Sequence, residues 1–451
     1  MPPKNYKISI LYTLQPSVND GQRWVIMADS NTNMMRGFVS EIMKNEDVEF
    51  SVIGPDINET DLALEEEIFH GLGEHIDEAF ISGRLKYIPI SGRPVDAVSY
   101  RYEFDMGRDL EAVQAWHERS RGEHLVFWNN IPELTANYMN YFHHPKNDAK
   151  DVVFVNCCYF LDSPIHPKTG VDESIHHKSV NWWRQVEGAL RADIAGFCCD
   201  GNRHQFFEGL NYSHHEDIVQ AITKNAWVFR FGYSETELDT LVDEAPHVAD
   251  ICAEATQGGK FLITFPNRIS DPDYTNGLQF IRAMEMLSSK RDDFVWTVTN
   301  PGQKYIKNVE LAEKYDNFLL ISENDLNRAE YVTLLGNTDF HCSLFIEEAN
   351  GGCACREAMH LGSMPIIPFA NEYTNLARAD WPGYFNVPNG HFDLNKFVEH
   401  LDMCLNEGAI WVRENVKETQ EQYGFNHEYG SFRVSTQEVL RAFKQHGIHL
   451  D

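Results

Sequence analysis

Twice along this chain, short apolar runs of strand length alternate with helical stretches, and that order leaves few folds open to it. Lys7 to Tyr12 (KISILY) reads as a strand, followed by a long polar loop with Asp20-Gly21-Gln22-Arg23-Trp24 and a helix near Asn33 to Lys44. Val48 to Ile53 is the next strand, closed by Gly54-Pro55, and Leu125 to Trp128, Val152 to Tyr159, Ile194 to Cys199 and Ala226 to Phe231 continue the series. Buried parallel strands look like this, as unbroken apolar runs rather than polar/apolar alternation. The pattern restarts after a helix predicted over Asp239 to Gly259. Phe261 to Phe265, Phe294 to Val298, Phe318 to Ile321, Phe340 to Leu344 and Met364 to Ile367 are strands, and Gly277 to Leu287 is an amphipathic helix between the first two.

A chain of 451 residues, 43% apolar, exceeds one ordinary core, so two domains of about 200 residues each are expected. The boundaries predicted are 1–238 for an N-terminal domain, 239–430 for a C-terminal one, and 431–451 for a terminal helix returning to the first. The fold class is α/β, two Rossmann-like domains facing across a cleft, with ligands at the carboxyl ends of the strands.

Nine cysteines, an odd number without a CxxC pair or zinc-type spacing, predict a reducing, cytoplasmic setting. No stretch of about eighteen apolar residues suggests a membrane span. A net charge of −30 argues against a protein that coats nucleic acid non-specifically, though not against a local basic cleft on an acidic body. The pairs His143-His144 and His176-His177 lack a carboxylate or cysteine at ligand spacing, so no metal is expected.

The most informative stretch runs from Phe345 to Pro368. A strand ends near Leu344, Glu347 and Glu348 lie on the exit loop, and Asn350-Gly351-Gly352 lets backbone approach a ligand at a helix start. That helix carries Glu357 inward and stops at Gly362 before a buried strand. Unpaired N–H groups at such a helix start suit a diphosphate, and a carboxylate a turn or two along suits the two hydroxyls of a ribose.

Here the chain resembles the GT-B glycosyltransferases, through Glu357-Ala358-Met359, Gly362, Pro365 and Ile366-Ile367 in order and spacing. Glu348 to Glu357 leaves eight residues between the glutamates, one more than the family usually has. The resemblance implies that Glu357 holds the donor ribose, while Glu347 or Glu348, with the Asn350-Gly351-Gly352 backbone, faces the sugar. It also implies a retaining enzyme in which Arg268, after the strand ending Phe265-Pro266-Asn267, neutralises the departing diphosphate. Asn276 stands where the family commonly has a second cation, which leaves Lys304 as the substitute. Ser322 and Glu323, with the helix near Arg328, are expected to form the base pocket of a UDP-sugar donor. No prosthetic group is implied.

On the acceptor side the resemblance points to Tyr159, Asp162 and His166 on the loop after Val152 to Tyr159, with Asp162 nearest the acceptor hydroxyl. Arg23, Trp24 and the segment His176 to Arg184 combine rings with cations, groups that stack bases and touch phosphates. In outline the chain is similar to phage DNA glycosyltransferases, so a hydroxymethylated pyrimidine in DNA is one acceptor. A glycan or small-molecule acceptor, a nucleotide-sugar epimerase and a non-catalytic nucleotide-sugar-binding protein are the alternatives.

Overall fold

The computed structural model describes residues 6–14, 17–18, 24–26, 30–60, 62–90, 106–130, 134–143, 152–158, 165–166, 170–171, 175–213, 216–230, 232–269, 275–303, 305–346, 352–387, 391–412 and 415–450. It divides into two compact units, Met1–Thr236 with Phe432–Asp451, and Glu237–Ser431.

The first unit is built on β1 (Tyr6–Thr13), the short pair β2 (Ser17–Val18) and β3 (Trp24–Val25), β4 (Val48–Pro55), β5 (Leu85–Ile90), β6 (Gly122–Asn129), β7 (Val152–Cys158), the short pair β8 (Ile165–His166) and β9 (Gly170–Val171), β10 (Ile194–Phe197) and β11 (Ala226–Val228). Seven of these form one sheet in the order β11-β10-β7-β6-β1-β4-β5. Every pairing in it is parallel. Counted within the unit, this is the doubly wound order whose direction reverses between β1 and β6.

β1 is central, so both its faces are buried: Ile8, Ile10 and Tyr12 join one core, Leu11 the core on the opposite face. The terminal helix Phe432–Gln445 closes the first of these cores with Phe432, Val439, Ala442 and Phe443. Its Phe432 ring lies so close over Gly37 that a Cβ there would sit 2.0 Å from the ring.

The second unit carries β12 (Phe261–Phe265), β13 (Phe294–Val298), β14 (Phe340–Cys342), β15 (Met364–Pro368) and β16 (Tyr384–Phe385). They form a parallel sheet in the order β13-β12-β14-β15-β16, which reverses between β12 and β14. Phe265 stacks on Phe280 of the helix Gly277–Ser288 at 5.1 Å, and Trp296 of β13 meets Phe280 edge-on.

Two local expectations are corrected. Phe318 to Ile321 is not a strand: among the described residues it makes a single bridge, Phe318 to Trp296. The Thr297 hydroxyl donates to the Leu319 carbonyl at 2.8 Å, taking an acceptor that a ladder N–H would otherwise fill. The helix expected over Asp239 to Gly259 is two helices, Glu235–Leu241 and Pro246–Ala255, and a short 3-10 turn. Pro246 starts the second, and the residue before a proline is pushed out of helical geometry, as Ala245 is at φ −121°, ψ 67°. Among the described residues no helix is long and apolar enough to cross a membrane.

Candidate functional site

Ligands of doubly wound sheets gather at the carboxyl ends of the strands where the order reverses. In the second unit that point lies between β12 and β14. Asn267, two residues beyond β12, donates from Nδ2 to the Ser343 hydroxyl just beyond β14 at 3.1 Å, so the exits of the two strands are stitched together. Arg268 follows and is exposed. Its carbonyl accepts from the Thr275 hydroxyl at 2.8 Å, two residues before the next helix.

That helix, Gly277–Ser288, begins after Asn276 in left-handed geometry at φ 57°, ψ 28°. Asparagine tolerates this conformation better than most residues. Its Nδ2 also donates to the Leu344 carbonyl at 2.7 Å. Asn276 is therefore a structural tie. Gly277 is required by packing, since a Cβ would fall 2.7 Å from Ile269 Cγ1.

The helix Cys353–His360 leaves from the other side of the reversal point. Gly352 precedes it at φ 66°, a backbone that favours glycine. A Cβ there would make only ordinary contacts, 3.4 Å to Phe345 and 3.6 Å to Asn267 Oδ1. Gly352 thus lies beside Asn267, the residue before Arg268.

Glu357 sits in the second turn of this helix, 3% exposed. Its Oε1 accepts from Arg328 Nη2 at 2.6 Å and its Oε2 from the Tyr331 hydroxyl at 3.0 Å. Arg328 also grips Glu237 with two bonds, from Nε at 3.2 Å and Nη2 at 3.0 Å. Burial works against the charge on Arg328, but Glu237 and Glu357 override it and hold the guanidinium well above its ordinary pKa. Burial first, then Glu357, raises Tyr331 well above the usual phenol range, so it stays a donor. A capping box places Arg328 at the first position of its helix, Arg328–Gly336: Asn327 accepts from the Glu330 N–H, and Glu330 accepts from the Asn327 N–H, both at 2.9 Å.

Beneath the same helix, His341 of β14 lies between the Ser363 hydroxyl at 3.0 Å and Cys355 Sγ at 3.3 Å. Burial lowers its pKa to about 3, so it is neutral.

Ser322 belongs to a different loop and is half-buried. Its hydroxyl accepts from the Asn324 N–H at 3.1 Å. Asp325 on that loop accepts from the Gly302 N–H at 3.0 Å with both oxygens, tying it to the turn after β13, where Asn300, Gly302 and Gln303 all have positive φ.

Glu347, Glu348, Asn350, Gly351, Lys304, Asp162, Tyr159 and Arg23 lie outside the described residues. Trp24 and His166 fall in β3 and β8, short antiparallel strands for which only the backbone is described.

At the reversal point of the first unit stands a group that the sequence reading missed. Thr13 bonds the Asn129 side chain at 3.0 Å and accepts from the Asn130 N–H at 3.0 Å. Asn129 donates to Thr135 at 2.8 Å, and Thr135 reaches Asn156 at 3.3 Å. The signal was present: Asn156 interrupts the apolar run VVFVNCCY, and an uncharged amide inside a buried strand needs partners.

No protein-family model matches this chain, and a search of curated proteins finds no match. Solved structures do match over nearly the whole length. The Anabaena protein HepE in complex with UDP and glucose superposes with a TM-score of 0.60 at 10% identity, covering 97% of this chain and 99% of that one. A trehalose-6-phosphate protein of E. coli bound with UDP-2-fluoro glucose gives 0.59 at 11% identity, covering 97% and 99%. A putative UDP-N-acetylglucosamine 2-epimerase from Listeria monocytogenes gives 0.55 at 11% identity, covering 99% and 98%. The paired Rossmann-like architecture of this chain is that of the GT-B fold.

Proposed function

We propose that this chain is a nucleotide-sugar-dependent glycosyltransferase that uses a UDP-sugar and retains the configuration of the sugar. The observation that carries the reading is that Asn267, the residue before Arg268, bonds Ser343 across the reversal point of the second sheet and lies beside Gly352, with Glu357 held on the helix that Gly352 opens. Three roles follow. The N-terminal N–H groups of the helix Cys353–His360 take the diphosphate, Glu357 takes the ribose hydroxyls, and Arg268 stabilises the leaving phosphate.

In the proposed reaction the bond from the anomeric carbon to the diphosphate oxygen breaks, and a bond to the acceptor oxygen forms on the same face. The acceptor proton passes to the departing phosphate. Glu348 or Glu347, with Asn350 and Gly351, faces the sugar, Lys304 supplies a second cation, and Asp162 with Tyr159 and His166 serves the acceptor. Ser322 stands at the base.

Of the acceptors open to it, a hydroxyl on a glycan or small molecule is better supported than DNA. The similar structures are named for UDP, glucose and trehalose phosphate, and a net charge of −30 opposes a polyanionic partner. The likeness to the putative epimerase favours a second reading, inversion of the sugar on its nucleotide. The full-length protein incubated with a panel of UDP-sugars, with and without sugar acceptors and hydroxymethylcytosine-containing DNA, separates them by mass spectrometry. A glycosylated acceptor is expected, with turnover lowered about a hundredfold or more in Arg268→Ala. Release of epimer alone would establish the second reading, and no conversion of any donor would remove both.

A further inference from the structure

Glu357 has a support that its place in the helix does not supply. Arg328 reaches it from another helix, and Arg328 is itself fixed by Glu237 through two bonds. Glu237 is 2% exposed and Glu357 3% exposed, so the three groups form one buried arrangement. We propose that Arg328, anchored by Glu237, is a positioning residue that orients the Glu357 carboxylate for two hydroxyl donors at once, and so makes the site selective for ribonucleotides over 2′-deoxyribonucleotides. The proposal rests on Glu357 being the ribose acceptor.

An ionised carboxylate offers about four lone-pair directions. Among the described residues Arg328 occupies one on Oε1, and Tyr331 occupies one on Oε2. One acceptor direction is left on each oxygen, the pattern that a vicinal diol with two O–H donors matches and a deoxyribose does not. Free rotation of the carboxylate would blur that pattern. Bonds from two different side chains, one to each oxygen, prevent it.

The anchor accounts for the residue types. Arginine's planar fork bonds Glu237 through Nε and Nη2 while Nη2 also serves Glu357, and an ammonium group cannot hold two carboxylates in so fixed a geometry. Shared between two acids, the guanidinium leaves Glu357 a strong acceptor for further donors. Glu237 lies on the helix Glu235–Leu241, which also receives the end of the Glu357 helix through His360 and Asp239 at 2.9 Å. The two helices are therefore tied at both of these points.

Calorimetry on the full-length protein with UDP and with 2′-deoxy-UDP tests this. The wild type is expected to prefer UDP by about tenfold or more, the worth of one lost charge-assisted bond. In Arg328→Lys and in Glu237→Gln the preference is expected to fall below about threefold, with the melting temperature of the ligand-free Glu237→Gln protein close to wild type. A purely structural role would weaken both ligands equally and leave their ratio intact, and that result overturns the proposal. Glu237→Gln decides the matter if Arg328→Lys fails to fold. Glu357→Gln is the control for the underlying reading: if it leaves UDP affinity and the preference unchanged, Glu357 is not the ribose acceptor and both ideas fall. Loss of the preference in Glu357→Gln with its full retention in the other two variants removes only the positioning role.

Discussion

Asn276 donates from Nδ2 to the carbonyl of Leu344 at 2.7 Å, joining the start of the helix after β12 to the segment that leaves β14. The bond spans the point where the strand order of the second sheet reverses, and it is made by a residue in left-handed backbone geometry. Position 276 therefore serves shape, through a hydrogen bond and a left-handed backbone.

Replacing Asn276 separates the two contributions. Asn276→Ala loses the hydrogen bond and puts a less tolerant residue at φ 57°, a combined cost of about 2 kcal/mol. Asn276→Gly keeps the backbone relaxed and loses chiefly the bond, about 1 kcal/mol. Urea unfolding of the three proteins measures the order, and equal midpoints for Ala and Gly would show that backbone geometry has no part in the choice.

The Arg328 arrangement carries a stability consequence distinct from ligand selectivity. In Arg328→Met the carboxylates of Glu237 and Glu357 remain buried without their shared cation, which costs about 3–5 kcal/mol. Adding Glu237→Gln and Glu357→Gln to the same protein removes both stranded charges and is expected to recover most of that loss. Thermal melts of the single and triple variants check the recovery. A triple variant as unstable as the single one would place the cost in packing around Arg328 and not in charge.

Two glycines are needed for opposite reasons. Gly352 has room for a methyl group but sits at φ 66°, ψ 126°, a region sparsely populated by residues with a Cβ, so Gly352→Ala costs about 1–3 kcal/mol through backbone strain alone. Gly37 lies within the helix Ser30–Ile42, and a Cβ would press into the Phe432 ring, itself 1% exposed and unable to move aside. Gly37→Ala is expected to cost about 1–3 kcal/mol by overpacking. Combining it with Phe432→Leu should give back part of that cost, whereas the same second change adds its full penalty to Gly352→Ala. Melting temperatures of the two double variants distinguish the cases.

Ten of the twelve strands in the two large sheets were legible because buried parallel strands are plain apolar runs; the edge strand β5, with Pro89 and half-buried positions, and the two-residue β16 were not. Beyond Phe345 the helix Cys353–His360 and the strand Met364–Pro368 were legible from the spacing of Gly352, Gly362 and Pro365. The Asn327-to-Glu330 capping box has a local signature too. What that box positions was not legible: Arg328 meets Glu357 across 29 residues and Glu237 across 91, and nothing in a local window reports such a pairing. Phe318 to Ile321 has the composition of a strand, and only the Thr297 hydroxyl from the neighbouring strand shows why it does not pair as one. Asn129 and Asn156 look like breaks in apolar runs until Thr13 and Thr135 are beside them.

His341 makes acid sensitivity a property of the fold beneath the site. Its pKa lies near 3 in the folded protein because burial disfavours the charged ring, against about 6.5 in the unfolded chain. Between those values the unfolded state binds the extra proton, so stability is complete above about pH 6.5 and falls as the pH drops. At pH 5 this one group accounts for about 2 kcal/mol of loss relative to pH 7. His341→Asn cannot take up that proton and should lose correspondingly less between pH 7 and pH 5, even if its starting stability is lower through the altered contacts to Ser363 and Cys355. Urea midpoints of both proteins at the two pH values measure the difference. Parallel losses would mean that the ring is protonated in the folded state, which requires a counter-charge where β14 meets the Glu357 helix.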